Sequence, residues 1–242
     1  VNTWDQNLRR VIIALDFPEA SEANAFLARW EKSEKPFVKV GMQLFYAAGP
    51  RWVSHLVEEG YPVFLDVKLH DIPHTVAGGV RSLARLGVEW ITLHASGGIR
   101  MMEAAKEAAE TSTNQKAPRL LAVTQLTSTD QQMMNHELGI PGTVQERVLA
   151  YAQLAKQAGM AGVVCSGWEA TKIKSRVDST LITVTPGIRL AGQDQGDQKR
   201  VMTPEQAVQS GADYLVVGRS ITQAKNPVAM YESITRSIGQ DQ

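Results

Sequence analysis

The segment Asp66-Val67-Lys68-Leu69-His70-Asp71-Ile72-Pro73 gathers two carboxylates and an ammonium into one short stretch. It follows the apolar run Pro62-Val63-Phe64-Leu65, which reads as a buried strand. Side chains alternate along a strand, so Asp66 and Lys68 face the same side. Asp71 falls after the strand pattern has ended, just before Pro73, and belongs to a loop. Charges at the mouth of a buried strand cost free energy unless they are paired or used. An ammonium set between carboxylates can stabilise a developing negative charge and deliver a proton. The plainer reading is a structural ion pair at a strand end, because such networks also perturb pKa values without doing chemistry.

Further apolar runs place this segment within a repeating pattern. Strands are expected at Val11–Leu15, Pro36–Gly41, the opening segment, Glu89–His94, Arg119–Leu126, Gly162–Cys165, Leu181–Thr185 and Asp213–Gly218. Helical patterns lie between them. Ser21 reads as the cap of a helix reaching Trp30. Gln43 to Glu59 is helical with a kink at Gly49-Pro50. Further helices are expected over Ile72–Leu86, Gly98–Glu110 and Val144–Gly159, from about Trp168, over Pro204–Ser210 and over Pro227–Ile238. Thr127 to Gly142 is a longer polar connection, Met-rich at its centre. The strands mostly lack polar alternation, as in sheets covered on both faces. Eight strand–helix units without a composition break favour one closed (β/α)8 TIM barrel over residues 1–242, an α/β single domain. No Gly-x-Gly-x-x-Gly follows the first strand, which weakens a dinucleotide-binding alternative.

Composition narrows the function classes. The 242 residues are 43% hydrophobic and 21% charged, an ordinary globular balance. Twenty-five basic residues against 25 acidic ones give no whole-chain pull toward nucleic acid or an anionic membrane. The lone Cys165 permits no intrachain disulfide, and no Cys/His metal spacing appears. No apolar run approaches membrane-spanning length, and no basic segment followed by an apolar run opens the chain. A cytoplasmic protein without metal, nucleic-acid or membrane partners is the expectation. The chain begins at Val1, which leaves its natural start open.

In such a barrel, chemistry collects at the C-terminal strand ends. Those ends carry Asp16, Lys39, Asp66 with Lys68, His94, Thr127, Arg189 and Gly218-Arg219. Singly, each has a plain explanation: Asp16 as a helix cap, His94 as a satisfied core histidine, Cys165 as a small packing residue. Gly218 permits close backbone approach, and Arg219 offers a forked donor. Backbone N–H groups after the eighth strand can point at an anion, and Arg189 and Gln198 can add donors from the preceding loop. A phosphate site is expected there; the alternative is a solvated arginine beside an ordinary turn.

The chain resembles the orotidine 5′-phosphate decarboxylase family in its bacterial form, along essentially its whole length. The resemblance rests on Ala14-Leu15-Asp16, Phe37-Val38-Lys39-Val40-Gly41, Asp66 through Thr75, Leu126-Thr127-Ser128, Thr185-Pro186-Gly187-Ile188-Arg189 and Val217-Gly218-Arg219. It implies that Lys39, Asp66, Lys68 and Asp71 form an alternating charged array, with Lys68 catalytic. It implies that Asp71, Ile72 and Thr75 reach into a neighbouring subunit's site, so that the protein works as a homodimer. Asp16 and Lys39 would contact ribose hydroxyls and Thr127 the pyrimidine edge. Arg189, Gln198, Gly218 and Arg219 would hold the phosphate, and residues around Arg189 to Lys199 would be mobile in the empty enzyme. The implied reaction converts orotidine 5′-monophosphate to UMP and CO2 with no cofactor. Two rival readings fit the same residues. One is a metal-dependent sugar-phosphate lyase on the same barrel, although Lys39 and Lys68 crowd its cation site. The other is a non-catalytic binder of phosphorylated ligands, which would not need a lysine fenced by acids.

Overall fold

Each short apolar run forms a strand, and each strand is too apolar on both faces to stay uncovered. The computed structural model describes residues 10–30, 35–112, 116–190 and 202–239. Its strands are β1 (Val11–Ala14), β2 (Phe37–Gly41), β3 (Val63–Leu69), β4 (Trp90–His94), β5 (Arg119–Val123), β6 (Gly162–Val164), β7 (Ile182–Thr185) and β8 (Tyr214–Val217). They close in sequence order, all parallel, with β8 pairing back onto β1. The outer helices are α1 (Ala20–Leu27), α2 (Met42–Glu58), α3 (Pro73–Ala84), α4 (Ile99–Thr111), α5 (Val144–Gln157), α6 (Gly167–Arg176), α7 (Pro204–Gln209), the single-turn α8 (Arg219–Thr222) and α9 (Pro227–Ser237). The fold is thus the expected (β/α)8 barrel. Among the described residues no helix is long and apolar enough to cross a membrane.

Strand alternation divides the core in two. Residues pointing outward, such as Ile13, Val38, Leu65, Ile91 and Leu93, pack under the helices. Residues pointing inward, among them Ile12, Phe37, Phe64, Trp90, Leu121, Val184 and Val216, fill the lower barrel. Trp90 is the hub of this plug. Its ring lies edge-on to Phe37, Phe64 and Tyr214, with centroids 4.8, 5.6 and 4.6 Å away. Truncating such a buried indole costs about 3–5 kcal/mol. Below the plug, Asp213 Oδ2 accepts hydrogen bonds from Lys174 Nζ at 2.6 Å and Thr183 N at 2.8 Å. Polar pairing at this lower face serves stability.

Two glycines have structural reasons. At Gly49 the chain takes φ +78° and bends α2 just before Pro50, as the sequence implied. At Gly162 a Cβ would lie 2.4 Å from the Ile182 carbonyl oxygen, so only glycine lets β6 sit this close to β7.

Some local expectations need correction. Ser21 is not a cap: α1 starts from Glu19, and the Ser21 hydroxyl donates to Glu19 Oε2 at 3.3 Å. β5 stops at Val123 rather than Leu126. Thr124 still leans on β6, its N–H and hydroxyl both donating to the Val164 carbonyl at 3.2 and 2.9 Å. The polar connection that follows contains one π-helical turn, Met133–Glu137, anchored where Asp130 Oδ1 accepts from Met133 N at 2.9 Å.

Candidate active site

The same alternation that builds the plug builds the site. Two residues beyond Phe37, Phe64 and Trp90 on their strands stand Lys39, Asp66 and Thr92, the next inward positions. One further step up β3 gives Lys68, and up β4 gives His94. Apolar side chains therefore floor a cavity of about 880 Å3 whose walls mix charged groups with apolar ones such as Phe17, Leu126 and Cys165. Asp16, Lys39, Asp66, Lys68, Thr127, Arg189, Gly218 and Arg219 all line it. Four cations (Lys39, Lys68, Arg189, Arg219) face three anions (Asp16, Glu22, Asp66), which favours an anionic ligand.

Asp66 is the centre of the charged layer and is only 8% exposed. Its Oδ2 accepts from Lys68 Nζ at 2.9 Å and lies 3.4 Å from Lys39 Nζ. Its Oδ1 accepts from the Thr92 hydroxyl at 3.0 Å. Burial alone would raise this carboxyl's pKa, but the charges of Lys39 and Lys68 and the bonds from Lys68 and Thr92 hold it below 3.8. Burial would likewise lower Lys39, yet Asp66 and then Asp16 outweigh it and hold the amine above 10.5. Asp16 pairs with Lys39 at 3.4 Å, its own side chain being 65% exposed, and it is not the cap of α1.

Lys68 stands on unusual backbone. It has φ +51°, and among the described residues no other non-glycine has positive φ. The β3–β4 register shifts between Leu65 and Leu69, as at a bulge, and bulges re-aim side chains beside active sites. The Lys68 N–H donates to the Thr92 hydroxyl oxygen at 2.9 Å.

Three site residues are not brought to Lys68 within one chain. Asp71, Ile72 and Thr75 are exposed, outside the cavity wall. Asp71 Oδ1 accepts from the N–H of Ile72 at 2.6 Å. The expectation of two carboxylates flanking the ammonium is thus met by Asp66 alone in a single chain. Gln198 lies outside the described residues. On either side of that stretch, Ile188 and Met202 form a β-bridge, with Arg189 N donating to Met202 O at 3.0 Å. At Gly218 a Cβ would meet Ala14 and Asp16 at ordinary contact distances, 3.6 and 3.7 Å. Glycine there leaves room on the cavity side rather than relieving a clash within the protein.

Residues 9–234 match the profile of the Orotidine 5′-phosphate decarboxylase / HUMPS family. A protein named orotidine 5′-phosphate decarboxylase, from Lactococcus lactis subsp. cremoris (strain SK11), is 51% identical over 233 residues, covering 96% of this chain and 98% of its own. The chain belongs to the orotidine 5′-phosphate decarboxylase / HUMPS family. A second protein of that name, from Streptococcus thermophilus (strain CNRZ 1066), is 52% identical over 225 residues, or 93% of this chain and 95% of its own. The crystal structure titled orotidine 5′-phosphate decarboxylase from Lactobacillus acidophilus superposes with a TM-score of 0.86 at 40% identity. It covers 95% of this chain and 99% of its own.

Sequence reasoning missed Thr92 and the partner of His94. A threonine inside a strand reads as ordinary β-branched filler, and its contact with Asp66 and Lys68 depends on the β3–β4 register. His94 ends β4 with its ring centroid 5.3 Å from that of His70. Burial first, then His70 and Lys68, lower its pKa below 6.5 against an opposing pull from Asp66, so the imidazole is held toward neutrality. Among the described residues no group of three or more His, Cys, Asp or Glu is placed to hold a metal ion.

Proposed function

We propose that this chain decarboxylates orotidine 5′-monophosphate to UMP and CO2, the last step of UMP synthesis, with Lys68 as the group that stabilises and protonates C6. The whole chain, residues 1–242, acts as one catalytic domain. The observation that carries the reading is the Lys68 ammonium, held 2.9 Å from Asp66 above an apolar floor, on the wall of a cavity with excess positive charge. The near-full-length similarity to proteins named for this reaction supports the substrate.

The bond between C6 and the carboxylate breaks and its electron pair stays on C6. That pair lies in the ring plane, where the pyrimidine π system cannot receive it. Stabilisation then falls to fixed charge, and an ammonium beside C6 is aimed where the charge develops. Lys68 Nζ transfers a proton to C6, CO2 leaves, and the amine regains its proton from solvent. The reading needs no cofactor as an electron sink. Asp66 fixes the ammonium. Placed near the substrate carboxylate it also disfavours the ground state, a secondary contribution relieved as CO2 departs.

The remaining cavity residues take the rest of the nucleotide. Asp16 and Lys39 bind ribose hydroxyls, and Thr127 reads the pyrimidine edge. Arg189 and Arg219, with Gln198 and the open space at Gly218, hold the phosphate, where a guanidinium fork suits the oxygens. Remote grip on the phosphate then supplies energy for desolvating the pyrimidine. The enzyme acts as a cytoplasmic homodimer in which Asp71, Ile72 and Thr75 complete the neighbouring subunit's site. Support for a covered surface comes from Ile72 at 65% exposure, with Met42 at 45% and Tyr46 at 72% on the adjoining β2–α2 junction.

Ultraviolet assay of orotidylate loss with purified protein tests the proposal. Turnover that survives excess EDTA is expected. No turnover, or turnover abolished by the chelator, would overturn it in favour of a binder or a metal-dependent lyase.

A further inference from the structure

We infer that Thr92 is a positioning residue for this reaction, its single hydroxyl clamping both the Asp66 carboxylate and the Lys68 backbone in their working geometry. The inference rests on the decarboxylase reading above. Thr92 does not line the cavity; it acts through Asp66 and Lys68.

The polarity of the clamp is fixed by its partners. The Lys68 N–H is only a donor, so the Thr92 oxygen accepts from it at 2.9 Å. The hydroxyl proton is then committed to Asp66 Oδ1 at 3.0 Å. With Oδ1 tied to β4, Oδ2 is the oxygen turned toward the two ammoniums, 2.9 Å from Lys68 and 3.4 Å from Lys39. One side chain therefore sets the plane of the carboxylate and, through it, the direction of the Lys68 amine. The second bond acts on the main chain. Lys68 has φ +51°, which side chains rarely adopt, at the point where the β3–β4 register shifts. Such a conformation persists only where surrounding contacts over-determine it. Thr92 is fully buried, so neither of its bonds competes with bulk water. Valine has the same shape and neither bond, whereas serine keeps the hydroxyl.

The test compares Thr92→Val and Thr92→Ser with the parent in steady-state orotidylate turnover, with thermal unfolding measured alongside. Bonds to charged groups and to a strained backbone lead us to expect a fall in kcat of about tenfold to a hundredfold for Thr92→Val. KM should move by less than about threefold, because the ligand contacts are untouched. Thr92→Ser should return most of the lost kcat. A Thr92→Val enzyme with parental kcat overturns the inference. So does a variant whose kcat and KM worsen together with a lowered Tm and no rescue by serine, since that is a packing defect. Should Thr92→Val fail to fold, Thr92→Ser and Thr92→Cys decide: a clear kcat advantage of serine over the similarly sized cysteine supports the clamp, and equality overturns it. Parental turnover is the separate control on the decarboxylase reading. If the parent were inactive, a crystal structure of Thr92→Val would still decide the clamp. An unchanged Lys68 backbone and an unchanged Lys68–Asp66 distance would overturn it; a relaxed φ or a displaced amine would support it.

Discussion

Replacing Asp66 by Asn tests the charged layer most directly, because the change keeps shape and removes one charge. Asp66 lies 2.9 Å from Lys68 Nζ and 3.4 Å from Lys39 Nζ. At an effective dielectric near 20, each such attraction is about 5 kcal/mol gross. Desolvation of the buried groups cancels part of this, and breaking a buried pair from one side costs about 3–5 kcal/mol net. The amide has one oxygen. Turned toward the lysines, it presents its NH2 group to the Thr92 hydroxyl, which must then aim its proton elsewhere. Turned the other way, it points donors at two ammoniums. Either way the Lys68 amine loses its counter-charge, and two cations face each other across a neutral side chain. If most of that energy holds Lys68 in place, kcat falls by about a hundredfold to a thousandfold, or about 2.7–4 kcal/mol. UMP has no carboxylate to feel Asp66, so its Kd should shift by less than about tenfold, near 1.4 kcal/mol. The assays are orotidylate turnover and titration with UMP. A turnover within about threefold of the parent would refute both the fixing role of Asp66 and its ground-state contribution.

Arg219→Ala should lower kcat/KM by well over tenfold, about 1.4 kcal/mol; a smaller loss, measured with the same substrate, argues against a phosphate grip. Mixing inactive Lys68→Ala and Asp71→Ala proteins and letting subunits exchange should restore about a quarter of parental activity, because half the dimers then carry one complete site. A mixture that stays inactive while exchange is verified removes the composite site. Lys68→Gly should be at least as stable as Lys68→Ala in urea unfolding, since glycine tolerates the φ of +51°; the ordinary glycine penalty of about 0.5–1 kcal/mol appearing in full would deny strain at this position. Stability should be flat between about pH 6.5 and 10.5 as far as His94 and Lys39 are concerned. His94, depressed below 6.5, contributes stability that is lost as pH falls below that value, and Asp66 adds a further loss below 3.8. Lys39, raised above 10.5, contributes stability lost only at higher pH. Urea midpoints across this range check it, and a His94→Phe variant should lack the first acid loss.

Much of this arrangement is legible in the sequence for a physical reason. A strand covered on both faces must be apolar, so charged residues at Lys39, Asp66 and Lys68 stand out against their runs. The helix kink at Gly49 is likewise local, because Gly-Pro chemistry needs no partner. The failures are equally physical. Thr124 continues an apolar run, and only the ladder shows that pairing with β6 ends at Val123, beyond which Thr124 caps the Val164 carbonyl. Ser21 has the chemistry of a cap but is the second residue of a helix that begins at Ala20, with Glu19 in the cap position. Asp71 looks like a second fence for Lys68 in the linear motif, yet the turn at Ile72 carries it outward. Thr92 is the largest omission, because its meaning lies in the alignment of two strands rather than in either one.

That alignment also explains why the reactive layer can exist at all. Charges just above an aromatic plug would be untenable singly, and they are tolerable because Asp66 faces three donors, Lys39, Lys68 and Thr92, while Asp16 pairs with Lys39 from the open side. Asp66 cannot be moved one residue along β3 without turning its carboxylate into the helix layer, since the inward period is two. Lys68 obeys the same period, but at φ +51° its amine is brought back to Asp66 rather than continuing up the barrel wall. The strain therefore has a geometric purpose: it lets two neighbouring inward positions on one strand form a close pair while leaving the upper cavity open. An unstrained β3 would place the same residues in the same order but would not by itself aim the ammonium at a shared point with Lys39 and Asp66. If the proposed decarboxylation holds, the bulge in β3 and the threonine that answers it from β4 position the charges that do the chemistry.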